Sequence, residues 1–178
     1  MRDIFLRPHE PNPFDSDTFR QRLNQHLRRW CLPYVALFVA AVWFHTNYAF
    51  GLNASPSLPH RLFLIHKGEP PQRGDYVAFR WPGGGPYPAG VTFVKVIAGM
   101  PGDLVTAEAN AFYVNGVPVG HAKLMSRQGQ PLDPGPTGLL PPGRYYVHAP
   151  HRDSLDSRYR LTGWIAESQI IGRAYALF

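Results

Sequence analysis

Cysteine is nearly absent: Cys31 is the single one in 178 residues. No internal disulfide can form, and a multi-cysteine zinc site is excluded. Cys31 sits at the edge of an apolar run, away from any His–Asp context, and reads as inert. Charge is scarce as well, at 17% of residues against 44% hydrophobic, which leaves material for one compact core. The net charge of +6 is spread out, with no block of five or more Lys or Arg. That pattern fits mild attraction to anionic lipid or substrate, and no nucleic-acid partner is expected. Also missing are an H-E-x-x-H zinc motif, a G-x-S-x-G elbow around any serine, and any internal repeat. Neither a metal nor a cofactor is expected.

A further gap concerns position. No Asp, Glu, Lys or Arg occurs between Trp30 and His60. Within this stretch "CLPYVALFVAAVWFHTNYAF" is a twenty-residue apolar span, long enough as a helix for one hydrocarbon core of ~30 Å. Aromatic residues (Trp30, Tyr34, Trp43, Tyr48, Phe50) flank both ends. Pro33 is expected in the first turn, where its missing N–H costs little. A buried core helix and a cleaved signal peptide are the alternative readings of the same run. Arg20, Arg22, Arg28 and Arg29 precede the span closely, whereas Arg61 and Lys67 are the nearest cations after it. The positive-inside rule then puts the N-terminus in the cytoplasm. The expected organisation is a cytoplasmic tail over residues 1–30, a membrane anchor over 31–52, and a domain over 53–178 on the outer side of the membrane. "DTFRQRLNQHLRRW" reads as a short interfacial helix with Asp17 as its N-cap.

Proline and glycine are plentiful, at 19 and 17 residues. They cluster in "PHEPNPF", "WPGGGPYPAG" and "GQPLDPGPTGLLPPG", which read as tail and loops. Between them lie short runs rich in Val, Ile, Phe and Tyr: "RLFLIH", "DYVAFRW", "VTFVKVIAG", "DLVTAEANAFYVNGVPV", "GRYYVHA" and "IIGRAYALF". Each reads as one or more strands, and Asn115-Gly116 marks a hairpin. One helical turn is expected near "WIAESQ". The body should be a mostly-β domain of packed antiparallel sheets.

"NASPSLP", residues 53–59, follows the apolar span with two serines and no charge. A serine attacks only if a base takes its proton. Lys95 is one candidate, because strand alternation places it between Phe93 and Ile97 on one face. Burial there lowers a lysine's pKa and makes it a base near neutral pH. A lysine at a sheet edge with its head in water is the competing reading. Histidine is the rival base, and "HAPHRDSLD" offers His148, His151 and Asp153 close together. Only geometry distinguishes a triad from loop histidines.

Several stretches together resemble the type I signal peptidases. "SPSLP" resembles the nucleophile box, "RGDYVAF" the box after it, and "VKVIAGMPGD" the lysine box. "FYVNGVPV" resembles the hairpin, "SLDSRYRLTGWI" the S-x-D-S-R box, and "IIGRAYALF" the terminal strand. The resemblance runs in family order from Asn53 to Phe178. It implies a signal-peptidase-like antiparallel β-sheet catalytic domain, periplasmic at the bacterial inner membrane, behind one N-terminal transmembrane helix. It implies Ser57 as nucleophile and Lys95 as general base, with the Ser57 N–H and the Ser55 hydroxyl holding the oxyanion. Ser154 would aim the Lys95 amine, and an Asp156–Arg158 pair would pin the closing loop. Leu58-Pro59 after the serine and "HAPHR" in place of G-D-N-R are similar to the TraF-type peptidases of conjugative transfer. That branch implies a serine endopeptidase that matures a pilin, with cyclisation of the product by transpeptidation as an option. Its partners would be a membrane-embedded pilin or preprotein, the lipid bilayer, and other conjugative transfer proteins. Exposed apolar side chains near the site, such as Phe79, Trp81 or Phe93, are candidates for lipid contact, with the choice among them left open. The alternatives are a general signal peptidase, a LexA-like self-cleaving regulator, and a non-catalytic pilus-assembly component.

Overall fold

A computed structural model describes residues 16–178. The first fifteen residues, with "PHEPNPF", lie outside the described residues. The described residues fall into two compact units, one ending at Phe44 and the other His45–Phe178.

Helix α1 spans Ser16–Asn47. Its Phe19–Asn47 stretch is long and apolar enough to cross a membrane, and none of it is buried inside the protein. Two expectations at its start need correction. The helix already includes Ser16, so Asp17 lies in the first turn rather than at the N-cap; there its charge favours the positive end of the helix dipole. Pro33 lies well inside the helix, because the basic segment and the apolar run are continuous. Its ring removes one interior N–H···O=C bond. The expected anchor boundary at residue 52 is also too late. The helix stops at Asn47, and Tyr48–Leu52 forms strand β1. The reason is pairing: β1 is matched residue for residue with the next strand, from Tyr48 opposite His66 to Leu52 opposite Leu62.

The second unit is antiparallel β throughout. Its strands are β1, β2 Leu62–Lys67, β3 Tyr76–Arg80, β4 Thr92–Gly99, β5 Leu104–Glu108, β6 Ala111–Val114, β7 Val117–His121, β8 Gly138–Leu139, β9 Arg144–His148, β10 Ile165–Ala166 and β11 Ile170–Ala176. A seven-stranded sheet runs β1-β2-β11-β3-β4-β9-β10, and a four-stranded sheet runs β7-β6-β5-β8. The β6–β7 turn is Asn115-Gly116, with φ of 50° and 77°. Positive φ at both positions is what a type I′ hairpin needs. The helical turn expected near "WIAESQ" is a 3-10 turn at Glu167–Gln169.

Alternation along the strands builds the core. Val77, Phe79, Trp81, Ile97, Val147 and Ile165 form one buried cluster, and Phe63 and Ile65 belong to another. Full burial of each such side chain contributes ~1.5–3 kcal/mol. Phe79 and Trp81 are 0% and 1% exposed, so they are core residues and do not meet lipid. Trp81 is stacked on Phe93 at 4.9 Å between ring centroids, which leaves Phe93 half-buried at the core's edge.

A turn after β4 ties separate segments together. Asp103 accepts hydrogen bonds from the Met100 N–H (2.6 Å), Arg73 Nη2 (2.6 Å) and Asn115 Nδ2 (2.7 Å). Burial alone would raise its carboxyl pKa; these donors outweigh that and hold it below the usual carboxylate range.

Candidate active site

The segment between β1 and β2 carries Ser57. Its base is closed by the Asn53 N–H donating to the Arg61 carbonyl at 2.8 Å. Next to Ser57, Leu58 is 4% exposed and packs among Phe63, Ile65, Ala78, Ala149 and Ala174. An apolar side chain driven into the core thus fixes its neighbour, and Pro56 and Pro59 restrict the backbone on either side. Ser57 is itself buried. Its Oγ lies 2.9 Å from Ser55 Oγ, and Ser55 Oγ donates to Asn53 Oδ1 at 3.0 Å. With the Ser55 proton on Asn53, the Ser57 hydroxyl is the donor of the serine–serine bond. Asn53 is held in turn by its Nδ2 donating to the His60 carbonyl at 3.2 Å.

Lys95 lies in the middle of β4, opposite Val77 of β3. It is 5% exposed, which removes the edge-lysine reading. The Phe93 ring lies 5.8 Å from its Nζ, and Nζ donates to Ser154 Oγ at 2.8 Å. Burial pulls the amine pKa down to about 8. The Asp156 carboxylate opposes this shift and the Arg158 guanidinium reinforces it. Among the described residues no hydrogen bond joins Ser57 to Lys95 directly. Both line one cleft of about 1010 Å³, together with Ser55, Phe93 and Ser154.

The loop from β9 to β10 supplies Ser154, Asp156 and Arg158. Arg158 Nε and Nη2 each donate to a separate Asp156 oxygen at 2.8 Å. The two side chains are 3% and 0% exposed, so this bidentate pair is fully desolvated. The Ala149 N–H donates to Asp156 Oδ2 at 3.1 Å. Arg158 also donates to the carbonyls of Ala149, His151 and His121 at 3.4, 3.3 and 3.3 Å. One buried ion pair thus gathers the loop and β7 around a single guanidinium. Gly120 leaves the room for it: a Cβ there would lie 2.8 Å from Arg158 Nη1.

The histidine alternative does not assemble. His148 is a β9 residue whose pKa burial pushes down. His151 Nδ1 accepts from the Asp153 N–H at 3.2 Å, while the Asp153 carboxylate is engaged by Lys123 and Arg127. Neither ring is paired with that carboxylate among the described residues. Sequence reasoning missed Asn53, although an Asn two positions before a serine is a recognised turn signal. It also missed the partners of Asp153, which lie about thirty residues away along the chain.

A buried serine, a buried lysine of lowered pKa and a braced loop lie around one cleft on an antiparallel β scaffold. The family model described as "Signal peptidase, peptidase S26" matches residues 25–178, and the chain belongs to that family. A signal peptidase I of Pseudomonas aeruginosa is 27% identical over 143 residues, covering 61% of this chain and 49% of that protein. A signal peptidase I of Bacillus amyloliquefaciens is 33% identical over 96 residues, covering 49% of each. The chain spans about half the length of these curated relatives. A crystal structure of a signal peptidase I from Enterococcus faecalis is 24% identical, with a TM-score of 0.39, covering 62% of this chain and 98% of that one.

Proposed function

We propose that the protein is a membrane-anchored serine endopeptidase that cuts leader segments from exported, membrane-tethered proteins. The observation that carries this is Lys95: an amine buried in the cleft that Ser57 also lines, fixed to Ser154 at 2.8 Å, with its pKa lowered to about 8. Family membership supports the same chemistry. The Ser57 hydroxyl turns from Ser55 toward the neutral Lys95 amine. Oγ attacks the scissile carbonyl as its proton passes to Nζ. The Ser55 hydroxyl rotates from Asn53 Oδ1 toward the substrate and with the Ser57 N–H holds the oxyanion, and such donors contribute ~2.7–4 kcal/mol each. The C–N bond breaks and Lys95 hands its proton to the leaving amine, which departs. Lys95, neutral again, then deprotonates the nucleophile that opens the Ser57 ester. The new product bond forms, and the proton on Nζ returns to Ser57 Oγ.

A helix long and apolar enough to span a membrane directly precedes the β unit in the chain, which supports a membrane anchor. The cationic flank of the helix supports a cytoplasmic N-terminus. Two substrate readings follow. The curated relatives are named signal peptidase I, which supports general preprotein processing. Leu58-Pro59 and "HAPHR" instead support pilin maturation, with conjugative transfer proteins as neighbours. In that case the pilin's own N-terminal amine can replace water and close the chain into a ring. The intact mass of a candidate pilin, with and without the protein, tests all of this. A linear cleaved product supports the peptidase and removes cyclisation, and a product lighter by one water supports both. A substrate left uncut by the native protein removes it from consideration, and a Ser57→Ala variant that still cuts removes Ser57.

A further inference from the structure

The segment joining β7 to β8 is a built strap. The Leu132 N–H donates to the Leu124 carbonyl at 2.9 Å, and Met125 and Pro131 form an antiparallel bridge. At its tip Ser126 Oγ accepts from the N–H groups of Gln128 (3.2 Å) and Gln130 (3.1 Å). The strap lines the cleft with Lys123, Met125 and Arg127, facing Asp153 of the β9–β10 loop. Lys123 Nζ donates to Asp153 Oδ1, while Arg127 Nε and Nη2 reach Oδ2 at 2.9 and 2.7 Å. Asp153 directly precedes Ser154, whose Oγ receives the Lys95 hydrogen bond. The Ser154 N–H donates to the His151 carbonyl at 3.0 Å, so the residues around Asp153 form one tight turn.

We propose that Asp153, Lys123 and Arg127 are positioning residues: their bridge ties the strap to the loop and thereby holds Ser154 against Lys95. The proposal rests on the peptidase reading for its meaning in catalysis. An isolated surface ion pair contributes little. Here two cations, 29% and 65% exposed, converge on one carboxylate whose side chain is 17% exposed, and all three line the same cleft. Removing the carboxylate leaves two like charges facing each other and frees the residue next to Ser154. Hydrogen bonds from Lys123 and then Arg127 hold the Asp153 carboxyl down to about 2, so it stays ionised while Lys95 titrates. The groups facing Lys95 are Asp156 and Arg158 from the loop and His148 from β9, while Val77 of β3 is apolar.

The sign of one shift separates positioning from simple charge. Asp153→Asn deletes a negative charge, and electrostatics alone would lower the Lys95 midpoint. A loosened loop lets water reach the amine, which raises the midpoint toward that of an ordinary lysine. The measurement is the pH titration of the Lys95 side-chain carbon resonance by NMR. It uses the full chain in detergent micelles, with the signal assigned through Lys95→Ala. The bridge predicts a rise of at least about half a pH unit in Asp153→Asn and in Lys123→Met/Arg127→Met, with Lys123→Arg like the native protein. Cleavage by the same samples should show kcat down about tenfold with KM little changed. A midpoint that stays or falls in Asp153→Asn overturns the proposal. Should that variant not fold, an unmoved midpoint in the double variant overturns it and a raised one supports it. A native protein that cleaves nothing defeats the peptidase reading, and the titration still decides the bridge.

Discussion

The most exposed consequence of the structure concerns the one benefit and the one cost of burying Lys95. Its pKa is lowered from 10.5 to about 8, with burial as the main cause. At pH 7 an ordinary lysine is neutral in about one molecule in three thousand, whereas this one is neutral in about one in ten. Burial therefore raises the active form by a few hundredfold. The same shift weakens the fold. The folded-state pKa lies below the unfolded one, so the unfolded chain binds the proton more tightly. The penalty is fully present below about pH 8 and is relieved as pH rises toward 10.5. At about 1.36 kcal/mol per pKa unit, it amounts to roughly 3 kcal/mol at pH 7. Lys95→Met should abolish cleavage and stabilise the protein by up to about that amount, less the value of the lost bond to Ser154. Urea unfolding of native and variant protein at pH 7 and pH 10 measures the difference, which should shrink at the higher pH. In the native protein the proposed cleavage should show kcat/KM falling about tenfold per pH unit below the Lys95 midpoint. A destabilised Lys95→Met, with an activity profile flat from pH 5 to 9, would refute the reasoning.

Other outcomes follow from the same contacts. Asp156→Ala leaves Arg158 buried and uncompensated, and should cost ~3–5 kcal/mol in chemical unfolding. Phe63→Ala, at a position 0% exposed, should cost ~3–5 kcal/mol through the cavity it leaves. The lowered pKa of Asp103 contributes stability above its unfolded value that is lost as pH falls through the folded one; Asp103→Asn should flatten the acid side of a Tm-versus-pH curve. A membrane-impermeant thiol reagent added outside spheroplasts should leave Cys31 unlabelled, and labelling would invert the proposed orientation.

What the sequence made readable was local. Runs such as Thr92–Gly99 and Ile170–Ala176 carry enough β-branched and aromatic residues to declare themselves as strands, and Asn115-Gly116 declares its turn. Strand β1 stayed hidden because Tyr48–Leu52 is uncharged and mostly apolar and so reads as the end of the span that begins at Cys31, although the polar His45-Thr46-Asn47 interrupt it. Strands β8 and β10 are two residues each, too short for any periodicity. Sheet order was out of reach, since β11 inserts between β2 and β3 by contacts that span most of the unit. At the site, Ser57 and Lys95 were visible from alternation and resemblance. The burial of Phe79 and Trp81 was not, because it depends on which sheet face the core covers. The Asn53–Ser55 chain and the grip of Lys123 and Arg127 on Asp153 are side-chain contacts across turns. No period in the sequence encodes them.

The central claim is that Ser57 becomes covalently attached to the carbonyl side of the cut bond. The most direct measurement mixes the full chain in micelles with a membrane-tethered substrate, quenches in acid within the first turnover, and maps acylated residues by tandem mass spectrometry. The account predicts an ester on Ser57 in the native protein and none in Ser57→Ala, which also should not cut. Cleavage by Ser57→Ala, or an adduct on another residue, would contradict it.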